Sequence, residues 1–314
     1  VGSAVRVNFN STTTNVGQSR TTTSMEDLST DADGPIKLVS QAGSITVDGG
    51  SDGQGVSAAG SGDILLEAAS DVIINADVDS GTGNITLDAG NDLVVNSAVT
   101  TGGAGTIYLT AGNQITVGSQ LTSDNGDILV DASDDITQTA SINSTSGDVG
   151  LIAGGNVIQG STGDITTGGD VLVEAGNDWT MAGDTVIAAG GGEVAGQALF
   201  GDLTLGEVNA TNVSLTSGGS IIDANAGSMN VTADSLSLRS EAGLIGDHDN
   251  TNGIPGQNDN AIDIAVATLA ANAESGIYIL ESDALTITTV AAVTVNVGSA
   301  VRVNFNSTTT NVGQ

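Results

Sequence analysis

Two consecutive stretches of sequence, GDILLEAASDVIINADVDSGT (Gly62–Thr82) and GNITLDAGNDLVVNSAVTTGGA (Gly83–Ala104), share one template of three short apolar segments. The segments are separated by Gly, Asn, Asp and Ser, which are the residue types that form turns. Within the segments, apolar residues recur at every second position, which is the period of a β-strand. The template therefore predicts one coil of three strands, repeated along the chain.

The template recurs with nearly constant spacing. The first strands of successive coils begin, 21 or 22 residues apart, at Ile64, Ile85, Ile107, Ile128, Val149 and Val171. The second strands follow in step at Val72, Leu93, Ile115, Ile136, Val157 and Trp179, and the third strands at Val78, Val99, Leu121, Ile142, Ile165 and Val186. The pattern predicts an all-β fold, a three-sided parallel β-solenoid (β-helix) with roughly 21–23 residues per coil. Roughly 13 coils about 4.8 Å apart would give a rod on the order of 60 Å long.

Alternation along each strand predicts which side chains point inward. In the first strand, Ile64, Leu66 and Ala68 share one face and are expected in the core, as is Trp179 on a second strand. Thr86 and Thr137 are expected to point outward, and Gly is expected at corners that need a positive φ. The outward centre of the first strands carries an apolar stripe, Leu65, Tyr108, Leu129 and Leu172, interrupted by Thr86 and Gly150. Such a stripe predicts cover by a loop or lateral packing against another rod.

The chain begins and ends with the same segment. Val1–Gln18 and Val297–Gln314 both read VGSAVRVNFNSTTTNVGQ, at an offset of 296 residues. Chance does not produce such identity, so we interpret residues 1–296 as one unit of continuous solenoid in a tandem array and residues 297–314 as the start of the next identical copy. The alternating apolar residues Val293, Val295, Val301, Val303 and Phe305 predict that the solenoid continues across this boundary.

Two polar stretches interrupt the pattern. Residues 17–34 and residues 247–260 are expected to be loop insertions, and the second contains the single His of the chain, His248. Strands are expected to resume after it and to continue to the next copy.

The amino-acid sequence of the repeats resembles that of a known family. The coil template reads GDILLEA (Gly62–Ala68), GNDLVV (Gly90–Val95) and TTGGDV (Thr166–Val171), followed by LSLRSEAGLIGD (Leu236–Asp247), AIDIAVATLAA (Ala261–Ala271) and GIYILESDALTI (Gly276–Ile287). Over roughly residues 44–295 the chain resembles the repeat regions of giant bacterial surface proteins of the filamentous haemagglutinin type. The resemblance implies a β-solenoid adhesin or fibre that is extracellular or held at the bacterial cell surface, often exported by a two-partner route.

Composition limits the partners and the chemistry. The chain has 37 Asp and Glu against 5 Lys and Arg, a net charge of −32, which excludes a nucleic-acid partner because binding needs a cationic surface. No apolar run is long enough to span a membrane. With no Cys and one His, Cys- and His-based catalytic sites are excluded. A polysaccharide-degrading β-helix needs only two carboxylates and is the enzymatic alternative. Because the carboxylates recur once per coil, we expect no catalytic residues and no enzymatic activity.

Acidic and amide residues form three rows along the coils. The first row is Asp63, Asn84, Thr106, Asp127, Asp148 and Asp170; the second is Asp71, Asp92, Gln114, Asp135, Asn156 and Asp178; the third is Glu67, Asp88, Thr110, Asp131, Ile152 and Glu174. The rows are expected either to form a solvated coat or to bind Ca²⁺, which prefers oxygen ligands. The insertion at 247–260 carries the candidate calcium ligands Asp247, Asp249, Asn250, Asn252 and Asp259. No other cofactor is expected.

Two functional hypotheses follow. The first is a structural repeat of a giant secreted or cell-surface fibrous protein that forms a long rod or filament. Its partners would be copies of itself, in tandem and laterally through the stripe. The alternative is an adhesin module that binds a glycan or a host or cell-surface partner through its loops.

Overall fold

The computed structural model describes residues 5–7, 13–15, 27–248, 260–298, 300–303 and 310–311, with side chains described between residues 27 and 303. Every regular element in these ranges is a β-strand. The strands stack in parallel as a β-solenoid of about ten turns, which confirms the predicted fold class. The described residues contain no helix that is long and apolar enough to cross a membrane.

Each coil contributes one strand to each of three faces. The first face contains Ile36–Ser40, Ile64–Ala68, Ile85–Ala89, Ile107–Ala111, Ile128–Ala132, Val149–Ala153, Val171–Ala175, Glu193–Ala198, Asn212–Ser217 and Thr286–Ile287. The second contains Ile45–Val47, Val72–Ile74, Leu93–Val95, Ile115–Val117, Ile136–Gln138, Val157–Gln159, Trp179–Met181, Leu203–Leu205, Ile221–Asp223, Leu244–Ile245 and Gly276–Ile277. The third contains Leu28–Thr30, Gln54–Ala58, Asp77–Ser80, Val99–Thr101, Leu121–Ser123, Ile142–Ser144, Ile165–Thr167, Val186–Ala189, Glu207–Asn209 and Ile279–Glu281.

Two long strands belong to both the third and the first face. Val231–Ser240 and Ile262–Ala273 each pass from the third face of one coil to the first face of the next. Outside the solenoid lie two short antiparallel hairpins, Val5–Val7 with Thr13–Asn15 and Val301–Arg302 with Thr310–Asn311. The later coils therefore lose one of their turns and join two faces into a single strand.

The register is constant through the repetitive part of the stack. Ile85 pairs with Ile64 on one side and with Ile107 on the other. The third column continues from Ile165 to Ile187, so the choice of Val186 from the sequence was wrong by one residue. The coil lengths also depart from the predicted period near the ends. Ile36 pairs with Ile64 in a coil that is longer than the repetitive ones, and Leu236 pairs with Leu269 in one that is longer still.

The stack is shorter than the sequence predicts. The second face holds 11 strands, and ten spacings of about 4.8 Å give a length of about 48 Å instead of about 60 Å. The difference arises because the solenoid strands run only from Leu28 to Ile287, and because the coils from Ile36 to Ile64 and from Leu236 to Leu269 contain more residues than the repetitive ones.

The interior is a set of aligned aliphatic columns. Ile64, Leu66 and Val72 are fully buried, and the equivalent residues of the following coils repeat this pattern. Each fully buried aliphatic side chain stabilises the fold by about 1.5–3 kcal/mol relative to an exposed one. A single coil exposes its column above and below, so the stability of the stack depends on contacts between neighbouring coils.

Trp179 lies in this interior, as predicted, with no exposed surface. Its Nε1 donates a hydrogen bond of 2.8 Å to Oε1 of Gln159, whose Nε2 donates one of 3.0 Å to Oε1 of Gln138. Gly196 makes room for the ring, because a Cβ at that position would lie 2.2 Å from a Trp179 ring carbon. The indole therefore fits the narrow core through one opposing glycine and a buried amide acceptor.

Some of the glycines at the coil corners have a different cause from the expected one. None of Gly83, Gly105 and Gly126 has a positive φ. A Cβ at each would lie 2.0–2.4 Å from the carbonyl oxygen of the corner glycine one coil earlier. At these three positions glycine is required because successive backbones approach closely, whereas Gly60 and Gly103 at the same corner have the expected positive φ.

A buried column of hydroxyl groups lies beside these corners and was missed from the sequence. Ser80 Oγ donates 2.8 Å to the carbonyl oxygen of Gly62 and accepts 2.9 Å from the N–H of Gly83. Ser123 makes the equivalent pair of bonds to Gly105 and Gly126. The signal was available: each hydroxyl lies two positions after the inward residue of the third strand and so on the same, inward face.

The two predicted loops have different outcomes. The first, residues 17–34, is wrong at its end, because Leu28–Thr30 is a strand that pairs with Val56–Ala58; residues 17–26 lie outside the described ranges. The second, residues 247–260, is closed at its base by a backbone hydrogen bond of 2.7 Å from the N–H of Asp247 to the carbonyl oxygen of Asn260. The solenoid continues after this insertion, since Ile245 pairs with Ile277.

Candidate interface on the first face of the solenoid

The apolar stripe on the first face is covered. We define the stripe as Leu65, Thr86, Tyr108, Leu129, Gly150 and Leu172. Leu65 is 2% exposed, Leu129 is 1% exposed and Tyr108 is 7% exposed. For outward-pointing residues at the centre of a strand, such burial requires a covering element. The sequence predicted that either a loop or another rod covers the stripe.

The cover is residues 293–303 of the same chain, which we call the strap. The strap residues Val295, Val297 and Ala300 form an apolar cluster with Tyr108, Leu129 and Leu172 of the stripe, and Val297 and Ala300 have no exposed surface. The strap lies along the flank of the solenoid and adds no further coil to its end. The expected continuation of the stack through residues 293–303 is therefore not what this chain adopts.

Gly150 interrupts the stripe at the place where Val297 lies. A Cβ on Gly150 would be 3.0 Å from Cγ2 and 3.6 Å from Cβ of Val297. The missing side chain creates a shallow recess, and the valine of the strap fills it.

Threonines of the stripe coils bind the strap backbone. Thr86 Oγ1 accepts a hydrogen bond of 2.9 Å from the N–H of Val303 and donates one of 3.4 Å to the carbonyl oxygen of Val301. The N–H of Val301 donates 3.2 Å to Oγ1 of Thr106. Thr86 points away from the core as predicted, but the strap covers it, so it is fully buried and not solvent-exposed.

Arg302 of the strap forms ion pairs with the third acidic row. Its guanidinium contacts the carboxylate of Asp88 closely and lies 3.7 Å from that of Glu67. Glu67 and Asp88 are paired neighbours on adjacent strands, so their like charges repel. The arginine reduces this repulsion at the same place where the strap covers the stripe.

Tyr108 and Asp131 show the electrostatic effect of this cover. Burial raises the pKa of Tyr108 above its ordinary value, and the nearby Asp131 adds to the shift while Arg302 opposes it. Burial likewise raises the pKa of Asp131, against a hydrogen bond from Tyr108 that lowers it. The phenol oxygen lies 3.4 Å from Oδ2 of Asp131. Burial therefore shifts the pKa of both groups upward, which stabilises each protonated form relative to the same group in water.

The other two acidic rows connect successive coils. In the first row, Oδ1 of Asp127 accepts a hydrogen bond of 2.9 Å from the N–H of Asp148, and Oδ1 of Asp148 accepts one of 2.8 Å from the N–H of Asp170. In the second row, Oδ1 of Asp135 accepts 2.6 Å from the N–H of Asn156. Each side chain of this kind binds the backbone of the next coil, a role that the sequence analysis did not predict.

The candidate calcium ligands are only partly within the described residues. Asp247 is described and lies next to His248, with Oδ1 2.9 Å from Nδ1 of the imidazole. Asp249, Asn250, Asn252 and Asp259 lie outside the described ranges. Among the side chains that are described, no group of three or more His, Cys, Asp or Glu is arranged to hold a metal ion. The calcium site remains a prediction.

Comparisons with known proteins add no functional assignment. No protein-family model matches the chain, and no curated protein or solved structure shows significant similarity to it. The functional interpretation therefore depends on the solenoid, its acidic rows and the strap.

Proposed function

We propose that this chain is a structural repeat of a giant fibrous protein, secreted or held at the bacterial cell surface, with no catalytic role. The observation that carries the proposal is the unbroken connection from coil to coil. First-face strands pair in parallel from Ile36–Ser40 to Thr286–Ile287, and the corner carboxylates add side-chain hydrogen bonds between coils. Such a stack extends in one direction, which suits a spacer or filament.

The composition supports the same role. A net charge of −32 keeps a long array soluble, because the copies repel one another wherever no specific contact holds them. The identical segments that begin at positions 1 and 297 support a tandem arrangement of copies. The resemblance to haemagglutinin-type repeats supports an extracellular location at the bacterial surface.

Immunogold electron microscopy of intact cells tests the proposal. An antibody raised against the purified chain should decorate surface filaments, with labels recurring along each filament at intervals set by the repeat. Labelling confined to the cytoplasm would overturn the proposed location, and a single label on each particle would overturn the array.

The adhesin alternative is favoured by one local feature. A cleft at the base of the 247–260 insertion is lined by Ile222, Leu244, Asp247 and Asn260. The rings of His248 and Tyr278 lie near it, with centroids 5.5 Å apart. Aromatic rings beside a cleft that has both apolar and polar lining residues suit the apolar face and the hydroxyl groups of a sugar.

Glycan-array binding of the full chain, compared with its Tyr278→Ala variant, tests this alternative. Saturable binding that the variant loses would favour the adhesin. Binding that is absent, or equal in both proteins, favours the structural role.

A further inference from the structure

We propose that the segment that opens each copy, VGSAVRV, is a docking element for the stripe of the preceding copy, so that consecutive copies are joined flank to flank. The inference rests on the proposed tandem array and adds how its units are connected. The occupant of the stripe is a second copy of this chain's own starting segment.

The first argument is the identity of the seated residues. The strap residues Val297, Ala300, Arg302 and Val303 belong to the second occurrence of the repeated segment, which first occurs at residues 1–18. Three of these residues have at most 2% exposed surface, and the fourth forms the ion pairs with Glu67 and Asp88. The complementary surface therefore recognises the beginning of a copy.

The second argument is that the segment folds in the same way at both ends of the chain. In the first occurrence Val5 pairs with Asn15 in an antiparallel hairpin, and in the second Val301 pairs with Asn311. These pairs are equivalent positions of the repeat. The hairpin is thus a property of the segment itself, and it returns the chain to a point beside Val301.

The third argument is the direction of the strap. Val297 lies at Gly150 and Val303 at Thr86, so the strap runs back toward earlier coils. The coil of Ile85 is the third on the first face, and the coil of Ile287 is the twelfth. Nine spacings of about 4.8 Å place Val303, near the start of the next copy, about 43 Å behind the end of this one.

The length of the connecting chain then decides whether the next copy packs beside the preceding copy or stacks on its end. The hairpin ends at Asn15 and the first solenoid strand begins at Leu28. A connection of about 13 residues spans at most about 45 Å when it is fully extended. To stack on the end of the preceding copy, the chain would have to cross about 43 Å in a nearly straight line along its flank. Packing beside the preceding copy needs no such extension.

A two-copy chain, residues 1–296 followed by residues 1–314, tests the connection. Negative-stain images are expected to show particles two solenoids wide and about 50 Å long, which is the length of one stack with coils about 4.8 Å apart. The matched control carries Val297→Asp and Val303→Asp at the internal junction, which removes the docking contacts and leaves the core columns unchanged. The control is expected to lose the paired form. A single rod of twice that length in the unsubstituted chain, or paired particles in both proteins, would overturn the proposal.

An engineered disulfide in the full chain tests whether the strap is docked on the stripe in solution. The chain has no Cys, so Gly150→Cys with Val297→Cys introduces one pair, at a Cβ–Cβ distance of 3.6 Å that suits a disulfide. This pair should oxidise within the chain, as seen by non-reducing electrophoresis, whereas Gly191→Cys with Val297→Cys should stay reduced. Equal oxidation of both pairs, or of neither, would refute the docked strap.

The outcomes separate the two proposals. Glycan binding through the cleft would remove the structural role and leave the flank connection intact. A single long rod from the two-copy chain would remove the flank connection and leave the structural role intact.

Discussion

Replacing one corner glycine by alanine should separate two coils of the stack. A Cβ at Gly126 would lie 2.0 Å from the carbonyl oxygen of Gly105, and real Cβ contacts shorter than 3.0 Å are essentially never seen. The two backbones must therefore move apart by about 1 Å in Gly126→Ala. Neighbouring coil-to-coil bonds lie close by, among them the 2.8 Å bond from the N–H of Asn125 to the carbonyl oxygen of Gly103.

The expected cost follows from these contacts. Overpacking of a well-packed site costs about 1–3 kcal/mol, and one or two weakened hydrogen bonds cost about 0.5–1.5 kcal/mol each. Gly126→Ala should thus lower the free energy of unfolding by about 2–5 kcal/mol. With a urea m-value of about 3 kcal/mol/M, the unfolding midpoint should fall by roughly 0.7–1.7 M.

Gly191→Ala is the matched control. Its new Cβ would meet nothing closer than 3.9 Å, and its φ is not positive. Both variants lose the same glycine freedom in the unfolded chain, so the control should be neutral or more stable by about 0.4–1 kcal/mol. Urea titrations followed by far-UV circular dichroism and by the fluorescence of Trp179 measure both. Equal midpoints for the two variants would refute the claim that close backbone approach, and not dihedral angle, selects glycine at position 126.

Three further outcomes are expected. Ile128→Asp should lower the melting temperature strongly, because it buries an unpaired carboxyl group; even an unpaired neutral polar group costs about 2–7 kcal/mol when buried, and an ionised one costs more. The half-buried Thr137→Asp should change the melting temperature little, and equal shifts would contradict the assignment of faces. In a Tyr278→Phe variant, where Tyr108 is the only tyrosine, ultraviolet titration should place the pKa of Tyr108 above its ordinary value of 10. Because the folded state holds this proton more tightly than the unfolded state does, the free energy of unfolding should fall as pH rises through the raised pKa. An unshifted titration would contradict the burial of Tyr108 beneath the strap. Ca²⁺ and Mg²⁺ should raise the melting temperature equally, because a net charge of −32 attracts a diffuse atmosphere of cations, and added NaCl should reduce this effect. A rise that is specific for calcium and persists in high salt would show a defined calcium site.

The solenoid itself was predictable because its signals are local and repeated. One coil contains its own strands and turns, and the period of 21 or 22 residues gives the register without further information. Each repetition strengthened the same inference, and the aliphatic columns with Trp179 inside them followed from alternation alone. The misplaced third column at Val186 arose where the turn before it changed length.

The strap was not predictable from periodicity. The alternating valines at 293–303 suit both a further coil and an extended segment lying on a surface, and the sequence offers no local signal that separates them. The stripe indicated that a cover was needed without indicating which segment supplies it. In the sequence, Thr86 and Gly150 only interrupt an outward apolar row. The structure shows that Thr86 binds the backbone of the strap and that Gly150 leaves room for the side chain of Val297.

The acidic rows give the stack a direction of assembly. Asp127 accepts from the N–H of Asp148, which in turn accepts from the N–H of Asp170, so each coil presents ready acceptors to the coil that follows it in the chain. The partner of each new strand lies only one coil earlier, a separation of about 0.07 of the chain length, which is low enough for rapid local pairing. When the chain emerges from a ribosome or an export pore with its N-terminus first, each new strand can pair with the exposed edge of the coil that folded before it. Folding can then proceed vectorially, one coil at a time, while the rest of the chain is still being delivered.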